Sequence, residues 1–138
     1  MRQALHTLTI AANGKGLVEI TDKVKRWLAG QGIETGLLTL YIRHTSASLL
    51  IQENADPDVQ KDLKAFFEDI APETRPYVHD TEGPDDRPAH IRAALTQTHL
   101  AIPVTGGQML LGQWQGIFLF EHRSSPRQRE VVLHLLGE

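Results

Sequence analysis

Cysteine is missing from all 138 residues. Its absence excludes disulfides, thiol catalysis and every zinc site built on cysteine, and it leaves no mark of an oxidising compartment, in keeping with a cytoplasmic protein. Basic charge is not in excess either. Fourteen Lys and Arg stand against seventeen Asp and Glu, a net charge of −3, so no general attraction to nucleic acid is expected. The opening MRQALHTLTIAANGKG alternates polar and apolar residues without the apolar block of a signal peptide. Nothing later approaches the roughly 20 apolar residues of a spanning helix, so no membrane association is expected. Internal repeats, a GxSxG elbow, a Walker-type loop and a dense basic cluster are likewise missing.

What is there is an ordinary globular composition, 41% hydrophobic and 22% charged, in a length that suits one domain over residues 1–138. Alternation over Ala4 to Ala11 sets His6, Leu8 and Ile10 on one face, the period of a half-buried strand, and Asn13, Gly14 and Gly16 end it. A short strand at Leu17 to Ile20 leads to Thr21 or Asp22 as the cap of a helix whose Val24, Trp27 and Leu28 share a face. Strands are expected at Gly36 to Arg43 and Ser48 to Glu53. Asp56, Pro57 and Asp58 then supply a cap, a proline for the first turn and an acid suited to the helix dipole, before Val59, Leu63, Phe66, Phe67 and Ile70 at helical spacing. Residues 72–88 hold four of the seven prolines and read as a long loop. A short helix from Pro88 to about Thr96 should turn Ile91, Ala94 and Leu95 inward. Three strands follow, near His99 to Val104, Met109 to Glu121 with an interruption around Gly112 to Gly116, and Arg129 to Leu136. The order β, β, α, β, β, α, β, β, β, with that short third helix, gives an α+β fold with a mixed or antiparallel sheet.

Seven histidines are half as many as the Lys and Arg together, and histidine is the side chain best suited to proton transfer and metal ligation near neutral pH. YVHDTEGPDDRPAH, residues 77–90, gathers His79, His90, Asp80, Glu82, Asp85 and Asp86 against the lone Arg87. Four acids and two imidazoles this close repel one another unless protons or a cation intervene; the alternative is a solvated acidic loop with helix-capping residues. The imidazoles would suit zinc and the carboxylates magnesium. RHTSASLLIQEN, residues 43–54, delivers Arg43, His44, Thr45 and Ser46 to a strand end, where Ser46 is either a nucleophile or a local hydrogen-bonding group. In LGQWQGIFLFEHR, Gly112 and Gly116 bracket Gln113, Trp114 and Gln115, so the ring is either core or a flat surface for a ligand; Arg123 could grip a phosphate. His6, His99 and His134 fall in strands and are assigned no role.

Three stretches, HTSASLLIQENADPDVQKDL, YVHDTEGPDDRPAHIRAAL and IPVTGGQMLLGQWQGIFLFEHR, closely resemble the YjbQ family, whose members are described as secondary thiamine-phosphate synthases. The likeness spans nearly the whole chain with its motifs in order. It implies a compact α+β domain that assembles as a homotrimer, with polar residues in clefts near subunit boundaries. Carried over by motif, the functional positions are His44, Ser46, Asn54, His79, Asp80, Asp85, Asp86, His90, Trp114 and Gln115. Gln113 stands where the family usually has threonine, which alters the shape of the pocket.

The activity so implied joins hydroxymethylpyrimidine diphosphate to thiazole phosphate and releases pyrophosphate. On that expectation a divalent ion, zinc or magnesium, sits at His79 and His90 with His44 as a further ligand, and Arg43 or Arg123 meets the phosphates. Trp114 stacks on a heterocycle, and His44 handles protons. A metal-dependent hydrolase of a small metabolite and a non-catalytic metal or metabolite-binding module are the alternatives.

Overall fold

The computed structural model describes all 138 residues. In chain order the elements are β1 (Arg2–Ala12), β2 (Gly16–Glu19), α1 (Thr21–Ala29), β3 (Gly36–Ile42), β4 (Ala47–Glu53), α2 (Pro57–Ile70), α3 (Asp86–Leu95), β5 (His99–Thr105), β6 (Gln108–Met109), β7 (Gln115–Glu121) and β8 (Arg127–Gly137). Two sheets result, β1-β8-β3-β5-β6 and β2-β7-β4, and every pairing in them is antiparallel. The α+β expectation holds. No helix is long and apolar enough to cross a membrane.

Alternation explains the larger sheet. Leu38, Leu40 and Ile42 of β3 and Val131, Leu133 and Leu135 of β8 are buried, and their neighbours in sequence point the other way. They join Leu49, Ile117 and Leu119 of the smaller sheet and Val24 and Leu28 of α1 in one apolar cluster. The opposite face of the larger sheet is left open: Leu5, Leu37, Tyr41 and Leu136 are exposed on it. Where β3 and β8 meet, Gly36 faces Gly137, and a Cβ on Gly36 would lie 2.3 Å from the Leu136 carbonyl oxygen. No side chain fits there.

β7 departs from alternation, since Gly116 through Glu121 are all buried. It is the middle strand of its sheet, with Ile117 and Leu119 in the core and Phe120 on the other face meeting Phe67 of α2 edge-on at 5.3 Å. Covered on both sides, it carries Glu121, His122 and Arg123 into the interior at its end.

The interruption expected around Gly112 to Gly116 separates β6 from β7, with a turn at Gly112 to Gln115 closed by Gln115 Oε1, which accepts from the Gly112 N–H at 2.7 Å. Three expectations need correcting. Neither Thr21 nor Asp22 caps α1, because Thr21 Oγ1 instead accepts from Ile117 N–H at 2.8 Å and donates to Glu19 Oε2 at 2.7 Å. The third helix begins at Asp86, not Pro88, and it is turned the other way. Ile91, Ala94 and Leu95 face out, while Asp86, Ala89 and Arg92 are buried. Arg92 Nη2 donates to the Ala71 carbonyl at the end of α2 at 2.7 Å, so a guanidinium and a carboxylate, not leucines, seat this helix.

Candidate metal centre

α3 and the loop before it bring His79, Glu82, Asp86 and His90 together, with one ligand atom from each lying within 4.8 Å of the others. Asp86 and His90 are four apart on the helix and so lie on one face. Asp86 is buried beneath the pair of imidazoles: its Oδ2 is 2.9 Å from His79 Nε2 and its Oδ1 is 3.1 Å from His90 Nε2. His90 Nδ1 lies 2.9 Å from the carbonyl oxygen of Thr45. A carbonyl only accepts, so Nδ1 carries the proton, and in the neutral ring Nε2 presents a bare lone pair to the Asp86 carboxylate. Lone pair against lone pair repels unless a proton or a cation sits between. A histidine whose second nitrogen is tied to a carbonyl is the usual arrangement of a metal ligand.

Arg123 holds the loop in place. Its Nε donates to Asp85 Oδ2 at 2.9 Å, its Nη1 to Asp86 Oδ1 at 2.9 Å and its Nη2 to the Glu82 carbonyl at 3.0 Å. Burial alone would raise the pKa of Asp85, but the Ser124 N–H and the Arg123 guanidinium outweigh it and hold the carboxyl below its ordinary value. The guanidinium is thus engaged with carboxylates of its own chain.

Next to this cluster, across the Thr45 carbonyl, lies a cleft of about 700 Å³ bounded by His44, Thr45, Ser46, His90, Ala94 and Arg129. Arg129, on its lining, belongs to an ion pair. Glu121 and Arg129 are buried, and Glu121 Oε1 and Oε2 accept from Arg129 Nε at 2.7 Å and Nη2 at 2.5 Å. Ser46 Oγ accepts from Arg129 Nη2 at 2.9 Å. His44 Nε2 accepts from the Glu130 N–H at 2.9 Å, and its Nδ1 is 3.3 Å from Arg129 Nη1. Burial first, and then the Arg129 charge, lower the His44 pKa and keep the ring neutral.

Measured against expectation, the structure joins His79, Asp86 and His90 but leaves His44 outside the metal-ligand group, with both nitrogens directed elsewhere. Asp80 is exposed and outside the group as well. Ser46 has no imidazole as a base; the serine that does, Ser48, is sealed in the interior with His122 at 2.9 Å. Asn54, Trp114 and Gln115 lie at the other end of β7 from Arg123, and the strand between is itself roughly 20 Å long. There Asn54 Nδ2 donates to Glu19 Oε2 at 3.2 Å, and its N–H to the Trp114 carbonyl at 3.0 Å. Arg43 pairs with Glu130 at 3.4 Å. Glu121 and Arg129 were not singled out by sequence reasoning, because nothing local marks two charges eight residues apart as a buried pair.

Trp114 is 56% exposed, so it is not core. Trp114→Ala is expected to cost well under the about 3 to 5 kcal/mol of a buried aromatic. Urea denaturation of the variant checks this, and a loss in that larger range would mean that the ring is packed.

A two-sheet α+β domain with two imidazoles converging on a buried carboxylate is the class these features define. The chain belongs to the family described as UPF0047 protein YjbQ-like, whose model matches residues 6–138. It is 54% identical to UPF0047 protein sll1880 of Synechocystis sp. over 138 residues, 99% of this chain and 94% of that one. To UPF0047 protein YjbQ of Escherichia coli O157:H7 it is 42% identical over 96% of each chain. A YbjQ-like protein of unknown function from Sulfolobus solfataricus P2 superposes with a TM-score of 0.88 at 23% identity, covering 99% of this chain and all of that one, a likeness of fold.

The expected synthase activity is corrected by these likenesses. They show a family whose members go by a family designation or as of unknown function, and none supports thiamine-phosphate synthesis. Neither the hydrolase nor the non-catalytic module is better supported. The physical basis of that expectation is missing too: Arg123 is engaged by Asp85 and Asp86, Arg43 by Glu130, and Trp114 is far from the histidines.

Proposed function

We propose that this chain holds a divalent metal ion through His79, Asp86 and His90, with Glu82 in reach as a fourth ligand. The observation that carries the reading is the convergence of two imidazoles on one buried carboxylate, His79 Nε2 at 2.9 Å from Asp86 Oδ2 and His90 Nε2 at 3.1 Å from Oδ1, with His90 Nδ1 tied to the Thr45 carbonyl. Two nitrogens and carboxylate oxygens favour zinc or a similar transition ion over magnesium, which prefers oxygen alone. His79 and Glu82 are exposed, so the ion would stay open to a small-molecule substrate. Such an ion would supply a Lewis acid for a ligand oxygen. Arg123 and the Thr45 carbonyl position the ligands.

Calorimetric titration of chelator-stripped protein with zinc should give one ion per chain, with magnesium competing poorly. Zinc at about 100 times its Kd should raise the unfolding free energy by about 2.7 kcal/mol. His79→Ala and His90→Ala should fold and lose that binding, as read by elemental analysis after dialysis against a weak chelator. Full occupancy in both variants would refute the assignment.

Assembly as a homotrimer belongs to the same proposal. It is supported by the open face of the larger sheet, where Leu37 lies beside Leu136 and Pro103, and Tyr41 beside Val132. Light scattering should report three times 15.4 kDa at micromolar concentration. A monomer there would exclude it.

A further inference from the structure

The cleft beside the metal cluster has hydrogen-bond donors of its own, and they lack an acceptor. Arg129 is only 4% exposed, and its Nε and Nη2 are used by Glu121 and Ser46. Its Nη1 has a single neighbour, His44 Nδ1 at 3.3 Å. That neighbour cannot accept. Because the Glu130 N–H donates to His44 Nε2, the lone pair is on Nε2 and the neutral ring carries its proton on Nδ1. Two N–H groups therefore stand donor against donor on the wall of the cleft. Thr45 and Ser46 line the same space, and their main-chain N–H groups donate to no group of the protein.

A buried donor without a partner is costly, and a guanidinium nitrogen beside an imidazole N–H calls for one shared acceptor. We propose that this cleft is an oxyanion site, which takes a small molecule through its carboxylate or phosphate group, with oxygens accepting from Arg129 Nη1 and His44 Nδ1. Glu121 already balances the Arg129 charge, so selectivity comes from directed donors more than from net field. Ile42, Ala47, Ala93 and Ala94 line the rest of the space and suit an apolar body behind the anionic group. The site is separate from the metal ligands. His90 borders both spaces, but its nitrogens face Thr45 and Asp86 and not the cleft.

The test uses full-length, chelator-stripped protein, so that it stands or falls apart from the metal reading. Inorganic phosphate and acetate are titrated separately by calorimetry, with folding verified by circular dichroism. Saturable one-site binding of either is expected, weakened about tenfold or more in His44→Phe and in Arg129→Lys and unchanged in Trp114→Ala. Phosphate alone binding would assign a phosphorylated ligand; acetate alone, a carboxylic acid. Should Arg129→Lys fail to fold, the partly exposed His44 still decides the matter. Two results overturn the proposal: no saturable binding of either anion to folded wild-type protein, or unchanged affinity in His44→Phe.

Discussion

Arg129→Met should lower the unfolding free energy by about 3 to 5 kcal/mol, measured by urea denaturation at neutral pH. The guanidinium makes two of the hydrogen bonds that satisfy Glu121, a carboxylate with no exposure, and the others come from the His122 and Arg123 N–H groups at 3.1 Å each. Removing Arg129 leaves a charge in the interior that two amides cannot balance. The double variant Glu121→Gln with Arg129→Met should therefore lose less than the single one, because it carries no buried charge. A single-variant loss under about 1 kcal/mol would mean that water reaches Glu121 and that this pair is not the anchor of the cleft.

Acid should destabilise the protein well before its carboxylates begin to titrate. His122 is buried, with Ser48 Oγ at 2.9 Å, and Thr96 Oγ1 donates on to Ser48 at 2.5 Å. Burial first, then the charges of Arg92 and Arg129, push its pKa down from 6.5 to about 3. Between those values the unfolded chain binds a proton that the folded chain refuses, so stability falls as the pH drops through the window and is level above it. The slope is at most about 1.4 kcal/mol per pH unit. His44, lowered by burial and Arg129, acts in the same direction. Asp85 and Glu68, held below their ordinary values, lose their stabilising contribution only at lower pH still. Melting curves between pH 7 and 5 should show the decline in wild type and a shallower one in His122→Gln. Equal slopes would place the acid-sensitive group elsewhere.

The parts of this molecule that sequence reading reached are those whose cause is local. Alternation marked β1, the apolar and aromatic run over Gly36 to Arg43 marked β3, the turn residues Ser124, Ser125 and Pro126 set off β8, and the Asp56-Pro57-Asp58 start marked α2, where Asp56 Oδ1 does accept from the Asp58 N–H at 2.9 Å. The gathering of His79, Asp86 and His90 was legible as charge crowding within one segment. What escaped depends on partners distant in sequence. α3 was read by its apolar residues, yet it is seated by Asp86 and Arg92, whose partners lie on Arg123 and in α2. Placing Trp114 with the histidines failed because motif order says nothing of which end of β7 each occupies. His44 matched the expected motif, but its nitrogens answer to Glu130 and Arg129, on a strand more than eighty residues away.

β8 lies between β1 and β3, with Arg2 opposite Gly137 on one side and Gly36 opposite the same residue on the other. It follows every other strand of this sheet in chain order, so until it is made one edge of β3 has no hydrogen-bonding partner, and β1 has none at all. β3, β5 and β6 can pair in order as they emerge, but the sheet closes only when β8 inserts between the waiting edges of β1 and β3. Loops of such length are costly to close, which puts this chain among slow-folding topologies and leaves two unpaired strand edges until β8 arrives.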